Sequence, residues 1–242
     1  MERLTGAHRD SIMRLGVKVG EGCAKLHDAL IRDLNVARIE LDETWSYVGK
    51  KQKMVKPEDG ANVGYQYVYI ALAGSAKAII SYWIGKRNGP NTHTFVMDLR
   101  QRVLGAPEIS SDGWHSYPPA IEAAFGSDCS FGVIEKKYAV VGGYTPEAAR
   151  RYSPAQVVAV ERKHVIGAPR HISTSYIERQ NLSLRMGQKR FARLSNGFSK
   201  KLENHAAAVS LYVAHYNFCR VHEALRVYAG YAAWGGGPHL DD

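Results

Sequence analysis

IELDETWSYVG, spanning Ile39 to Gly49, sets Ile39 and Leu41 in alternation with polar residues and then delivers Asp42. Alternation of that period marks a half-buried strand, so Asp42 is held rigidly where the strand runs out into aromatic-rich sequence. Two further acids stand in contexts that hold them as firmly. Asp112, in ISSDGWHSYP, follows a short run from Pro107 to Ser111 and precedes Gly113, the pattern of a strand end opening into a loop. Glu178, in STSYIERQN, follows the hydroxyl cluster Ser173, Thr174 and Ser175, which resembles a helix start with an acid in its first turn.

Three carboxylates brought together raise one another's pKa and resist joint ionisation. Divalent cations remove that objection, and hard oxygen ligands suit Mg²⁺ or Mn²⁺, which also bind phosphate oxygens. Two ions about 3.5–4 Å apart would serve the attacking and leaving oxygens of an in-line phosphoryl displacement. Among 23 Asp plus Glu residues, however, any single acid is ordinarily a surface charge or a cap.

The surrounding motifs carry a more specific signal. LDETWSYVGKK (Leu41 to Lys51), SDGWHSY (Ser111 to Tyr117), TSYIERQNLSLR (Thr174 to Arg185) and FSKKLENHAAAVSLYVAHYNF (Phe198 to Phe218) occur in that order. Together they resemble the DDE transposases of bacterial insertion sequences, specifically the insertion sequence one family, over most of the chain from about Arg38 to about Arg226. The resemblance implies that Asp42, Asp112 and Glu178 are the catalytic, metal-binding acids. It implies an α/β fold of the RNase H-like, retroviral-integrase-like kind, a mixed sheet flanked by helices. The activity it implies is Mg²⁺- or Mn²⁺-dependent cleavage at an element end and strand transfer into target DNA, with two ions per site. Partners would be the terminal inverted repeats and target DNA, bound by a homo-oligomer.

Two departures from the family pattern stand out. Residues 138–170 resemble an insertion between the second and third acids, with Gly142, Gly143, Pro146 and Pro154 and the basic pair Arg150 and Arg151 reading as loop. Family members commonly carry an amino-terminal zinc segment, but Cys23, Cys129 and Cys219 are far apart and form no CxxC pair, so no zinc is expected. TGAHRDSIMRLG still resembles the recognition half of a helix-turn-helix. The expected organisation is a helical segment at 1–36, a catalytic domain at 37–228 and a flexible tail at 229–242.

Length and composition agree. A chain of 242 residues, 45% hydrophobic, can bury one substantial core and a small appendage. A net charge of +9 favours a polyanionic partner such as nucleic acid. The excess is uneven, since Arg179 to Arg226 holds nine Lys or Arg residues against Glu203 and Glu223. Arg179, Asn181, Arg185, Lys189, Arg190, Lys200 and Lys201 are therefore the expected DNA contacts, fixing the phosphate backbone in register. No apolar run is long enough to span a bilayer and no signal-peptide pattern opens the chain, so a cytoplasmic, nucleoid-associated protein without a membrane partner is expected.

Along the chain, strands are expected at 38–48, 65–73 and 78–84, a helix at 91–104, a strand ending at Asp112, a helix at 119–125 and strands at 131–138 and 157–162. Val19, Cys23, Leu26 and Leu30 recur at helical spacing and predict the packed face of an amino-terminal helix. Phe198, Leu202, Ala206, Val209, Val213 and Tyr216 predict another helix, facing the core. His205, His215 and His222 lack any zinc-binding context and read as structural or phosphate-contacting. Trp45 and Trp114 are expected to wall the cleft. Glu43 falls on the opposite face of its strand from Asp42, a weaker ligand, and Glu203 is the reserve third acid. Two other functions fit the same sequence: a transposase-derived DNA-binding protein without catalysis, and an RNase H-like nuclease that never joins strands.

Overall fold

The computed structural model describes residues 2–139, 156–192 and 196–235. Two helices open it, α1 (Glu2–Thr5) and α2 (Arg9–Leu30), followed by β1 (Arg38–Val48), β2 (Gly64–Ala73), β3 (Ile79–Gly85), α3 (Gly89–Arg100), β4 (Glu108–Asp112), α4 (Tyr117–Phe125), β5 (Ser130–Ala139) and β6 (Gln156–Ile166). The carboxyl-terminal part holds α5 (Ser175–Gly187), α6 (Leu202–Ala214), which runs into a π-helical turn at His215–Cys219, and α7 (Ala229–Ala233).

Among the described residues the strands form one six-stranded sheet in the order β3-β2-β1-β4-β5-β6. β1, β2 and β3 are antiparallel neighbours, with a long connection over 49–63 and a short one over 74–78, whereas β4 is parallel to both β1 and β5 and β6 returns antiparallel. Parallel neighbours need a crossover, which α4 supplies between β4 and β5, while α3 carries the chain from the edge strand β3 back to β4 beside β1. The result is a mixed α/β architecture consistent with the expected RNase H-like sheet.

Side-chain alternation divides the sheet into two faces. Tyr69, paired with Glu43 across β1 and β2, packs its ring 5.5 Å from Phe95 of α3, so this face is covered by α3 and α4. Glu40 and Asp42 lie on the other face, under α5. Tyr82 on that face donates to Ser210 of α6 at 3.0 Å. Ile39, Leu41, Ile70, Leu72, Phe95 and Phe131 are fully buried between the layers, and removing such side chains from water is the main favourable term in folding.

The structure departs from expectation at both ends of the chain. Val19, Leu26 and Leu30 are 42%, 46% and 38% exposed. The face of α2 that packs is instead Gly20, His27 and the flanking Ile31. A side chain at Gly20 would place its Cβ 2.5 Å from the Cα of Ala207, so glycine permits α2 to cross α6 at backbone distance. His27 then reaches the Ile79 carbonyl of β3 at 3.0 Å. Residues 229–235, expected in the tail, form α7 and its exit, where Ala229, Gly230 and Ala233 are buried and Trp234 donates its indole N–H to the Leu30 carbonyl at 2.8 Å. Residues 236–242 lie outside the described residues. Within 138–170, β6 is longer than expected, while Arg150 and Arg151 lie outside the described residues.

The middle of the chain follows the sequence reading closely. β1 has the expected bounds, and β2, β3, β4 and β5 agree within a residue or so. In α6, Val209 and Val213 are fully buried, and Tyr216 beyond it is nearly so. Phe198 precedes that helix and stacks on Tyr47 with ring centroids 4.9 Å apart. His205 is buried between Ser46 and Ser199, each hydroxyl 3.1 Å from a ring nitrogen, which is a structural role.

Candidate functional site

β1, β4 and α5 each deliver one acid to a single cleft of about 690 Å³, lined by Asp42, Asp112 and Glu178. Asp42 stands mid-strand on the α5 face and Asp112 is the last residue of β4. Glu178 sits in the first turn of α5, where its backbone N–H donates to the Thr174 carbonyl at 3.0 Å. β1 also fixes that helix. Glu40, two residues before Asp42 on the same face, accepts hydrogen bonds from the backbone N–H groups of Tyr176 and Ile177 at 2.8 and 2.9 Å. A carboxylate there satisfies free amides and matches the positive end of the helix dipole.

Asp42 is held on both oxygens. Its Oδ1 accepts from the Glu43 backbone N–H at 2.8 Å and its Oδ2 from the Asn181 amide at 2.8 Å. Burial, and then the negative charge of Asp112, push the Asp42 carboxyl up to about 6, against the downward pull of those two donors. Burial and Asp112 likewise raise Glu43 to about 8, with Arg87 the chief opposing charge.

Glu43 keeps to the opposite sheet face, as strand alternation requires, yet ligand atoms of Asp42, Glu43 and Asp112 lie within 4.8 Å of one another. These three residues form an acidic group able to hold a divalent cation. The donor set is all hard oxygen, which suits such an ion, and Glu43 lies beside the buried Tyr117 hydroxyl. Glu43 is therefore more central than its strand position suggests.

Glu178 shares the cleft but not that close group. Its Oε1 accepts from Thr174 Oγ1 at 2.6 Å and forms an ion pair with Lys136 of β5. Arg87, just beyond β3, is the cation set against the other acids: its Nη2 is 3.0 Å from Glu43 Oε2 and 3.1 Å from Asp112 Oδ2, and its guanidinium lies 4.2 Å from the Trp114 ring centroid. Neither Arg87 nor Lys136 belongs to a motif, and only the strand endings that precede the cleft hint at them in the sequence.

The expected DNA contacts divide. Asn181 and Arg185 line the cleft with Glu178, at the helical spacing of 178, 181 and 185. Arg179 faces the other side of α5. Arg190 is half-buried, donating to Ser199 Oγ at 2.8 Å, and so is a structural contact. Lys189, Lys200 and Lys201 are exposed and do not line the cleft, and Lys201 pairs with Glu203 at 3.6 Å, away from the acids. Trp114 walls the cleft as expected. Trp45 does not, because it packs edge-on against Tyr65 at 5.3 Å.

No helix among the described residues is long and apolar enough to cross a membrane. Neither a family model nor a curated protein matches the chain. Among solved structures, it is similar to the piggyBac transposase in a cryo-EM synaptic complex with hairpin DNA, at 12% identity and a TM-score of 0.35, covering 75% of this chain and 47% of that chain. The chain thus spans less than half the length of that transposase chain, and the likeness is too distant to bear on the site.

Proposed function

We propose that the chain is a DDE transposase that cuts the ends of an insertion sequence and joins them to target DNA, using Asp42, Asp112 and Glu178. One observation carries the reading: acids from a strand centre, a strand end and a helix start, far apart in sequence, line one cleft together with Arg185 and Asn181.

Asp42 and Asp112 would hold one divalent cation, Mg²⁺ or Mn²⁺, with Glu43 as an added oxygen donor, and Glu178 would help hold a second. Such ions polarise the phosphate and activate the attacking oxygen when bound. The chain's own groups do the rest. Asn181 fixes the Asp42 rotamer, Arg87 orients Asp112, and Arg185 with Lys136 offers positive charge to the phosphate as negative charge builds on it. Paired element ends call for two such sites, hence a homo-oligomer on DNA.

A second reading, DNA binding without turnover, draws on the ion pairs that Arg87 and Lys136 make with Asp112 and Glu178. Labelled element-end duplexes with Mg²⁺ and a target plasmid separate the two. Transposition requires cleaved and joined products from the native chain and a loss on the order of 10²-fold or more in Asp42→Asn, Asp112→Asn and Glu178→Gln. Cleavage without joining indicates a nuclease, and retention of DNA with no product indicates the binding protein.

A further inference from the structure

We infer that the outer side of α5 is a second nucleic-acid path, a groove that holds the phosphate backbone of a DNA segment separate from the one in the acid cleft. The inference rests on the reading of the chain as a protein that acts on DNA, and extends it to a surface that reading leaves unused.

α5 is a partition between two concavities. Glu178, Asn181 and Arg185 face the acid cleft, whereas Tyr176, Arg179, Gln180 and Ser183, also spaced three and four apart, line a groove of about 630 Å³ on the other side. Into that groove converge Lys77 from the turn before β3 and Arg220 and His222 from the segment after the π-helical turn. Glu223 is the one acid among the described residues of its wall.

Among the described residues, no carboxylate forms an ion pair with the cations there. The Arg179 and Arg220 guanidinium groups make no side-chain hydrogen bond or ion pair among the described residues. Lys77 Nζ donates to the Gly74 carbonyl and lies 2.9 Å from the Tyr176 ring centroid, neither of which neutralises it. His222, whose pKa burial and the neighbouring Arg220 and Lys77 push down, adds no cation, but its Nε2 is buried without a hydrogen-bond partner among the described residues. Like charges gathered around a concave wall repel one another, and an anion entering the groove relieves that repulsion. A polymer of phosphates suits the groove better than a flat anionic surface does, because the cations approach from both walls.

Binding of mixed-sequence duplex DNA to the full chain, measured by fluorescence anisotropy in EDTA across a salt series, tests this. Each phosphate contact contributes about 0.9 to the slope of log affinity against log salt, so Arg179→Gln with Arg220→Gln should flatten it by about 1.8. The matched Arg179→Lys, Arg220→Lys protein, which keeps the charge, should retain the native slope. A native slope in the glutamine variant overturns the inference, as does an equal flattening in the lysine variant. Loss of binding to phosphatidylserine vesicles with an unchanged DNA slope would assign the groove to lipid and overturn it too. Because EDTA removes metal-dependent turnover, failure of the cleavage assay leaves this result untouched.

Discussion

Arg87 stands between Glu43 and Asp112, its Nη2 3.0 Å from one carboxylate and 3.1 Å from the other. One guanidinium thereby offsets two acids of the proposed cation site, one of them almost wholly buried. Removing it strands Glu43. Arg87→Gln is expected to destabilise the metal-free protein by about 1–3 kcal/mol, and Mg²⁺ should raise the melting temperature of the variant more than that of the native chain. Equal Mg²⁺ shifts in both would show that the ion and the guanidinium do not serve the same acids.

The raised carboxyls of Asp42 and Glu43 set a pH dependence. Their folded pKa values, about 6 and about 8, lie above the ordinary carboxylate range. The native state keeps protons that the unfolded chain gives up, so their contribution is fully present below about pH 4 and is lost as pH rises toward 8. Melting in EDTA at pH 5 and pH 8 should show a larger loss for the native chain than for Asp42→Asn with Glu43→Gln. His27 and His205, both pushed down to about 4 by burial, titrate in both proteins and cancel. Identical losses would refute the assignment.

Asn181 holds Asp42 from the neighbouring helix and touches no reacting atom in this reading, which makes it a positioning residue. Asn181→Leu keeps the volume and drops the amide. A weakening of Mn²⁺ affinity by about 10–100-fold is expected, together with a stability loss of about 1–3 kcal/mol from the donor that Asp42 loses. Calorimetric titration with Mn²⁺ decides it, native-like affinity being the adverse result.

Two glycines of α2 should respond in opposite directions. Gly20→Leu forces its side chain into the Ala207 backbone and is expected to cost about 1–3 kcal/mol. A Cβ at Gly22 meets nothing within 4 Å, so Gly22→Ala should gain about 0.5–1 kcal/mol by restricting the unfolded chain. Urea unfolding of both reads the difference, and a destabilised Gly22→Ala would mean that the helix is not packed as described.

The sheet was legible because its strands alternate cleanly and end in punctuating residues. β1 and β4 could be placed from Ile39, Leu41 and Gly113 alone, and the acids they carry came with them. The packed face of α2 was not legible, since hydrophobicity selected Val19, Leu26 and Leu30 while backbone proximity selected Gly20. Glu43 was undervalued for a related reason: alternation gives the face of a side chain but not its reach around a strand end. Arg87 and Lys136 escaped because a cation's partner is a three-dimensional fact, and the basic count after Glu178 gave charge without direction. That count grouped Arg179 with Arg185, although the helix turns them to different sides.

Glu40 and Asp42 are two residues apart on one strand, and they hold two points of a single helix, its first amides and Asn181. β1 therefore works as a ruler against α5, fixing both its height and its rotation. Sliding the helix to carry Glu178 toward the aspartates would tear out both attachments at once. Any approach of the third acid must come from its own side chain swinging free of Lys136 and Thr174, with the scaffold standing still.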